Sequence, residues 1–271
     1  MMRMAIVALL SVPLVQDAAE QAKQAVQKTR AQKSYSALFT GTLQVPNSDA
    51  MEIKGESVWV TPGVLFLKYK ASGGDEVRLV RVGDKVWMFH LQIEDWIPAE
   101  QAGRGGAGRG LQNPDEVLAL IAKVQGKAAA GGSETINGLA CTVLNIELKG
   151  EEMGNLLKDQ TSHGNFDWKE SKGSARIAVA PDGLLRRLAV AAELKSTDPK
   201  LEGKKVTYKA DVTVKAYQAA YAMPFGTIDP RTKKETPIPV SLEILEEIEK
   251  TRNIPDELKA EVAKMKAALP K

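Results

Sequence analysis

From Val206 to Ala216 the chain alternates without a break: Val206, Tyr208, Ala210, Val212, Val214 and Ala216 are separated by Thr207, Lys209, Asp211, Thr213 and Lys215. A two-residue rhythm of this length fits only an extended strand with one wet and one dry face, because successive side chains of a strand point to opposite sides. A second stretch repeats it near the N-terminus, where Tyr35, Ala37, Phe39, Gly41, Leu43 and Val45 alternate with Ser34, Ser36, Thr40, Thr42 and Gln44, and only Leu38 breaks the order. Two half-buried strands so far apart in sequence require an antiparallel sheet between them and something to cover its dry face.

Four more strands are predicted between Met51 and Leu91, punctuated by Pro62-Gly63, Gly73-Gly74 and Gly83-Asp84 at the spacing of a meander. Strands resume around Asn137-Gly138 with Leu139 to Leu148, and Pro181-Asp182-Gly183 joins Ala175–Ala180 to Leu184–Leu194 as a further hairpin. Helices are predicted in three places. Asp17-Ala18-Ala19-Glu20 has the form of a capping box opening a helix of about four turns. Asn113-Pro114 caps a segment in which Val117, Leu120, Ile121 and Val124 recur at helical spacing. At the tail, Ser241 caps a helix carrying Leu242, Leu245 and Ile248, and a second helix carries Leu258, Val262, Met265 and Leu269. The run Gly103 to Gly110 reads as a loop, since glycine loses the most backbone freedom on ordering.

The first residues differ from the rest. Arg3 precedes the apolar run Ala5 to Val15, too short to span a membrane, and small residues follow at Ala18 and Ala19. That is the form of a secretory signal, so the expected organisation is a signal over 1–18, a sheet domain over 19–235 and a helical extension over 236–271. A lone cysteine, Cys141, rules out an internal disulfide. With 37 basic against 34 acidic residues, no field is available to neutralise many phosphates, and nucleic acid is not an expected partner.

Chemistry finds little to work with. His90 and His163 do not sit in a metal-ligand spacing, and no metal or other cofactor is expected. Cys141 lies inside the apolar Leu139 to Leu144, where a small buried hydrophobe is the commoner role than a nucleophile. Glu151, Glu152, Asp159 and Asp167 match no calcium loop, and Arg104 and Arg109 are two charges in a glycine loop. No nucleophile elbow or phosphate-binding loop occurs, and the chain is not expected to be an enzyme. What remains is apolar surface: Phe39, Leu43, Ile53, Trp59, Phe66, Trp87 and Phe89 are expected on one concave face, with the helix of Val117, Leu120, Ile121 and Val124 across it as a lid. Those residues form either the wall of a ligand cavity or a packed core.

The order of elements resembles the LolA-type periplasmic lipoprotein carriers and their lipid-binding relatives, from about Ala18 to Pro230. The likeness rests on a signal and one helix, then a meander with Gly83-Asp84-Lys85-Val86-Trp87-Met88-Phe89, a helical insertion, and Ile136-Asn137-Gly138-Leu139-Ala140-Cys141-Thr142-Val143-Leu144. Ala180-Pro181-Asp182-Gly183-Leu184 and Val212-Thr213-Val214-Lys215-Ala216-Tyr217 complete it. The resemblance implies an α+β fold, a half-open antiparallel β-barrel (a curved sheet) covered by helices, whose dry interior takes lipid or lipoprotein acyl chains. It also implies an exported, non-catalytic monomer that exchanges its load with a membrane-protein donor or acceptor. The family's lid-holding arginine on an early strand has no counterpart, since Tyr35 to Ala71 contains no arginine. The alternative is a sensor or scaffold of the same fold acting through its C-terminal helices, for which Leu258, Val262, Met265 and Leu269 would stand exposed.

Overall fold

In the computed structural model, thirteen strands and four helices are defined across the described residues, namely 17–60, 63–74, 76–90, 92–101, 118, 121–123, 127–157, 166–201, 204–218, 226–228, 235–237 and 240–269. The strands are β1 Ser34–Gln44, β2 Met51–Val60, β3 Val64–Ala71, β4 Glu76–Val82, β5 Lys85–His90, β6 Asp95–Pro98, β7 Ala129–Ile136, β8 Leu139–Lys149, β9 Phe166–Val179, β10 Leu185–Ser196 and β11 Lys205–Tyr217. A separate short pair is formed by β12 Gly226–Ile228 and β13 Glu235–Pro237. The helices are α1 Ala18–Arg30, α2 Glu151–Leu157, α3 Leu242–Lys250 and α4 Asp256–Ala268.

β1 to β11 form a single antiparallel sheet in the order β6-β5-β4-β3-β2-β1-β11-β10-β9-β8-β7. Each half is a meander of neighbours in sequence, and the halves meet where β1 pairs with β11, placing Phe39 opposite Val212 and Leu43 opposite Tyr208. β6 and β7 end the sheet and do not pair with each other among the described residues, so it is a curved, half-open barrel and not a closed one. Turn chemistry sets the register. Asn137 and Gly138 take positive φ, 49° and 79°, in the two-residue loop between β7 and β8, the backbone that such a tight hairpin requires. Gly183, at φ 77°, closes the turn between β9 and β10.

Following the register from strand to strand assigns the faces. Tyr35, Ala37, Phe39, Gly41 and Leu43 share an inner face with Ile53, Ser57 and Trp59 of β2, Leu65 and Leu67 of β3, Tyr208 and Val212 of β11, Leu188 and Val190 of β10, and Leu144, Ile146 and Ile177 beyond. α1 and α2 cover the far part of this face. Ala22, Ala25 and Val26 of α1 and Met153 and Leu157 of α2 are buried in one cluster with Leu144, Ile146, Ile177, Leu194 and Val206. Asp17 occupies the N-cap of α1 and accepts from the Ala19 backbone N–H at 3.4 Å. At the other end Leu185 N–H donates to the Thr29 hydroxyl at 3.1 Å, and the Lys28 ammonium donates to the Asp182 carbonyl, which locks the helix to the β9–β10 hairpin.

The outer face is polar on one half and apolar on the other. Across β7 and β9 to β11 it carries ion pairs: Arg187 grips Asp211 with two nitrogens at 2.8 and 2.5 Å, and Glu134 joins Arg176 at 2.9 Å to Arg187 at 3.4 Å. Across β2 to β6 it carries Val58, Val60, Val64, Phe66, Val80, Val82, Trp87 and Trp96, all buried beneath α3 and α4. Ile244, Leu245, Ile248, Leu258 and Val262 face down into that cluster, and Met265 and Leu269 pack against it. Lys85 of β5 adds an ion pair to Glu247 of α3 at 2.9 Å. Ser241 sits at the N-cap of α3 but makes no side-chain capping bond.

Candidate apolar binding site

A cavity of about 260 Å³ lies on the inner face. Its floor is the middle of the sheet: Tyr35, Phe39 and Leu43 of β1, Met51, Ile53 and Ser57 of β2, Leu65 and Leu67 of β3, Leu185, Leu188 and Val190 of β10, and Tyr208, Ala210, Val212 and Val214 of β11. Thr29 of α1, Leu157 of α2 and Leu118, between β6 and β7 in the chain, bound it on the other side. From Tyr35 to Leu43 its wall follows β1 for roughly 26 Å at about 3.3 Å per residue, so the space is a trough. The volume lies just under the usual range for small-molecule sites, about 300–1,000 Å³.

Small residues make room for it. Gly41, with Ile53 Cγ1 2.9 Å from where a Cβ would stand, lets the Ile53 side chain lie flat across β1. Gly55 does the same for Phe39, whose Cζ would be 2.8 Å from an added Cβ. Two hydroxyls near it are engaged with protein. The Thr29 hydroxyl accepts from Leu185 N–H, and the Tyr217 hydroxyl donates to the Leu185 carbonyl. Arg187 also lines the cavity, but its guanidinium is held on the outer face by Asp211, whose hydrogen bonds push its pKa up.

The residues expected to share one concave face divide. Phe39, Leu43 and Ile53 line the trough. Trp59 is on the same face but is buried beside it, against Tyr35, Ala37, Leu65 and Val214. Phe66, Trp87 and Phe89 are on the opposite face, beneath α3 and α4; Phe89 meets Trp96 edge-on at 5.5 Å, and the Arg78 guanidinium lies 5.6 Å from its ring centre. They sit one residue out of phase with Leu65, Leu67 and Met88, and a single step along a strand moves a side chain to the other side. Val117, Leu120 and Val124 lie outside the described residues. Ile121 is fully buried in the cluster with α1, and Leu118 rather than Ile121 reaches the trough.

The β10–β11 wall of the trough is not among the residues expected there. Its signal was present in the alternation of Tyr208, Ala210 and Val212, whose dry face is the one that points into the trough. The stripe of Leu258, Val262, Met265 and Leu269 is packed on the sheet and does not form an exposed docking face.

The described residues among those weighed for chemistry are each accounted for locally. Cys141 is 1% exposed, and burial pushes its thiol up, partly opposed by Arg186. Glu152 is bonded to Lys127 at 2.5 Å, which lowers its carboxyl. Asp167 accepts from the backbone of Lys169 at 3.1 Å. His90 ends β5, while His163, Asp159, Arg104 and Arg109 lie outside the described residues. Among the described residues no three His, Cys, Asp or Glu side chains gather as metal ligands, and no helix is long and apolar enough to cross a membrane.

Fold and site together define a class: an open antiparallel half-barrel with helices on both faces and an apolar trough within. Solved structures of this kind are similar to it. The lipoprotein LppX of Mycobacterium tuberculosis matches over 73% of this chain and 93% of its own, at 14% identity and a TM-score of 0.45. LprF from Mycobacterium bovis matches over 76% and 95% at 13% identity and a TM-score of 0.43. The LolA superfamily protein NE2245 from Nitrosomonas europaea matches over 73% and 92% at 10% identity and a TM-score of 0.32. No family model matches the chain, and no curated protein matches it.

Proposed function

We propose that this protein binds an acyl chain of a lipid or lipoprotein in the inner-face trough, without chemistry, and carries it outside the cytoplasm. The observation that supports this reading is the trough itself: a long apolar cavity left open between a sheet and its helices, where a protein of this size ordinarily packs side chains. Its shape suits one extended chain better than a compact ring system. Burying a methylene contributes about 0.8 kcal/mol, so ten of them supply about 8 kcal/mol. Association and ordering offset several kcal/mol of that, which leaves binding reversible, as a carrier needs.

Native mass spectrometry of the protein purified from its own host, followed by organic extraction, tests the reading. Adducts of acyl-lipid mass that disappear when Leu188 on the trough floor is replaced by Asp, with the circular dichroism of the fold retained, are the expected result. A clean protein mass, together with failure to take up added monoacylglycerol or phospholipid, overturns it.

A further inference from the structure

The two ends of the trough differ. Leu43 of β1 stands opposite Met51 of β2 at one end of the inner face, and Tyr35 stands opposite Trp59 at the other. Met51 and Tyr35 both line the cavity, yet Met51 is 52% exposed and Tyr35 only 5%. Around Tyr35 the walls are shut. Trp59, Leu65, Leu185 and Val214 are buried there, and the rings of Tyr35 and Tyr217 meet at 6.0 Å. Leu185 is bonded through its N–H to the Thr29 hydroxyl and through its carbonyl to the Tyr217 hydroxyl. Around Met51, by contrast, Leu43, Ile53 and Tyr208 are each only half-buried.

That difference gives the trough a mouth and a blind end. Methionine suits a mouth, because its unbranched side chain turns about three bonds and adapts to what passes it. The turn beside it is fixed: the Gln44 side-chain amide donates to the Val45 and Ser48 carbonyls at 2.9 and 2.6 Å, and Asn47 takes a positive φ of 62°. The lip therefore yields by side-chain rotation and not by movement of the loop. At the blind end the hydroxyls of Thr29 and Tyr217 are already engaged with Leu185, so a polar or charged head group lodged among Trp59, Leu65 and Val214 would lose its water without replacement. A terminal methyl group meets no such cost, and each methylene behind it gains by burial.

We infer that Met51 marks the portal of the trough: the acyl chain enters there methyl end first, lies along β1 with its methyl end against Tyr35 and Trp59, and leaves its head group outside, beside the β1–β2 turn. This rests on the acyl-binding reading and adds to it the class of ligand and its direction. The ligand is an amphiphile whose polar head stays unburied, so the trough reads the tail and not the head.

Tryptophan emission reads the direction, because Trp59 stands at the blind end while Trp87 and Trp96 lie beneath α3 and α4 on the opposite face and Trp168 packs beside Gly154 of α2. The probe is stearoyl lysophosphatidylcholine, below its micelle concentration, carrying a nitroxide quencher either near its carbonyl or near its methyl end. The methyl-end nitroxide is expected to cause the greater loss of emission, and Trp59→Phe is expected to abolish that excess. Met51→Trp adds an emitter at the mouth, on which the carbonyl-end nitroxide is expected to act more strongly. Equal losses at Trp59 from the two nitroxides, or a greater loss from the carbonyl end, overturn the direction and leave acyl binding standing. No loss of emission from either nitroxide overturns acyl binding in the trough itself, and the inference with it. Should Trp59→Phe lose its fold by circular dichroism, Met51→Trp decides alone, since stronger quenching of the added emitter by the methyl-end nitroxide would overturn the direction.

Discussion

Replacing Ile248 by alanine tests whether α3 and α4 are part of the folded body or an appendage to it. Ile248 is fully buried, in the cluster that joins Ile244 and Leu245 of its own helix and Leu258 and Val262 of α4 to the sheet side chains Val80, Val82 and Trp87. Truncating a buried isoleucine to alanine costs about 2–5 kcal/mol, the larger values arising where the surroundings cannot collapse into the space. Here one wall is a hydrogen-bonded sheet, which moves little, so a cost of about 3–4 kcal/mol is expected. For a chain of this length each kcal/mol moves the thermal midpoint by about 2–4 °C, giving a fall of about 6–16 °C. Leu242, in the first turn of the same helix, is 49% exposed, and its change to alanine is expected to cost no more than about 0.5 kcal/mol. Melting curves by circular dichroism, with urea midpoints beside them, measure both. Equal shifts for the two variants, or two separate transitions with only the smaller one moved, would refute the reasoning, because the helical pair would then not be held against the strands. Lipid uptake by Ile248→Ala below its midpoint is expected to be intact, since the trough is on the other side of the same sheet.

Three further outcomes follow from other parts of the molecule. Gly55→Ala places a methyl 2.1 Å from the Lys68 carbonyl oxygen and 2.8 Å from Phe39 Cζ, so the strands must part; a loss of about 1–3 kcal/mol or more is expected in chemical denaturation. Thr29→Val preserves shape but leaves the buried Leu185 N–H without its acceptor, with an expected cost of about 1–3 kcal/mol by the same measurement and faster amide exchange at Leu185. Both Tyr208 and Tyr217 have folded-state phenol values near 12 against 10 for the ordinary group, so the folded chain holds more protons than the unfolded one between those values. Stability is therefore unaffected by these groups below about pH 10 and falls as pH rises through 10 to 12, which a series of urea midpoints checks; a flat profile over that window contradicts it.

Where one face of a strand is wet, the sequence disclosed the structure. Val206 to Ala216 and Tyr35 to Gln44 are read correctly as alternating strands, with Val45 just past the end of β1, and even the exception, Leu38, is accounted for as a side chain 48% exposed on the outer surface. The same rhythm fails between Val58 and Trp87. Val64-Leu65-Phe66-Leu67 and Val77 to Val82 are buried on both sides, so apolar residues follow one another and period two carries no information about which face is which. That continuous run was itself a message: an antiparallel strand apolar on both faces needs a second cover, and the only amphipathic segments left to provide it were the tail helices. Reading Phe66 and Trp87 into the same face as Phe39 required a register that depends on turn geometry and on the pairing of β1 with β11, neither of which leaves a local mark. The first half of β9, from Phe166, was hidden for another reason: Asp167, Lys169, Glu170 and Lys172 give it the composition of a loop, and it is extended because β10 pairs with it.

The seam between β1 and β11 also has a temporal meaning. Every other pairing in the sheet joins strands adjacent in sequence, each free to zip as soon as its hairpin exists. The seam joins Tyr35 to Tyr217, so the first strand must wait for nearly the whole chain before it finds its second neighbour. Until then the edges of two half-sheets, with their apolar faces, stand open together. Slow, non-local closure of this kind leaves a folding chain open to aggregation, and a circular permutant that made β11 and β1 consecutive would be expected to reach the same structure faster.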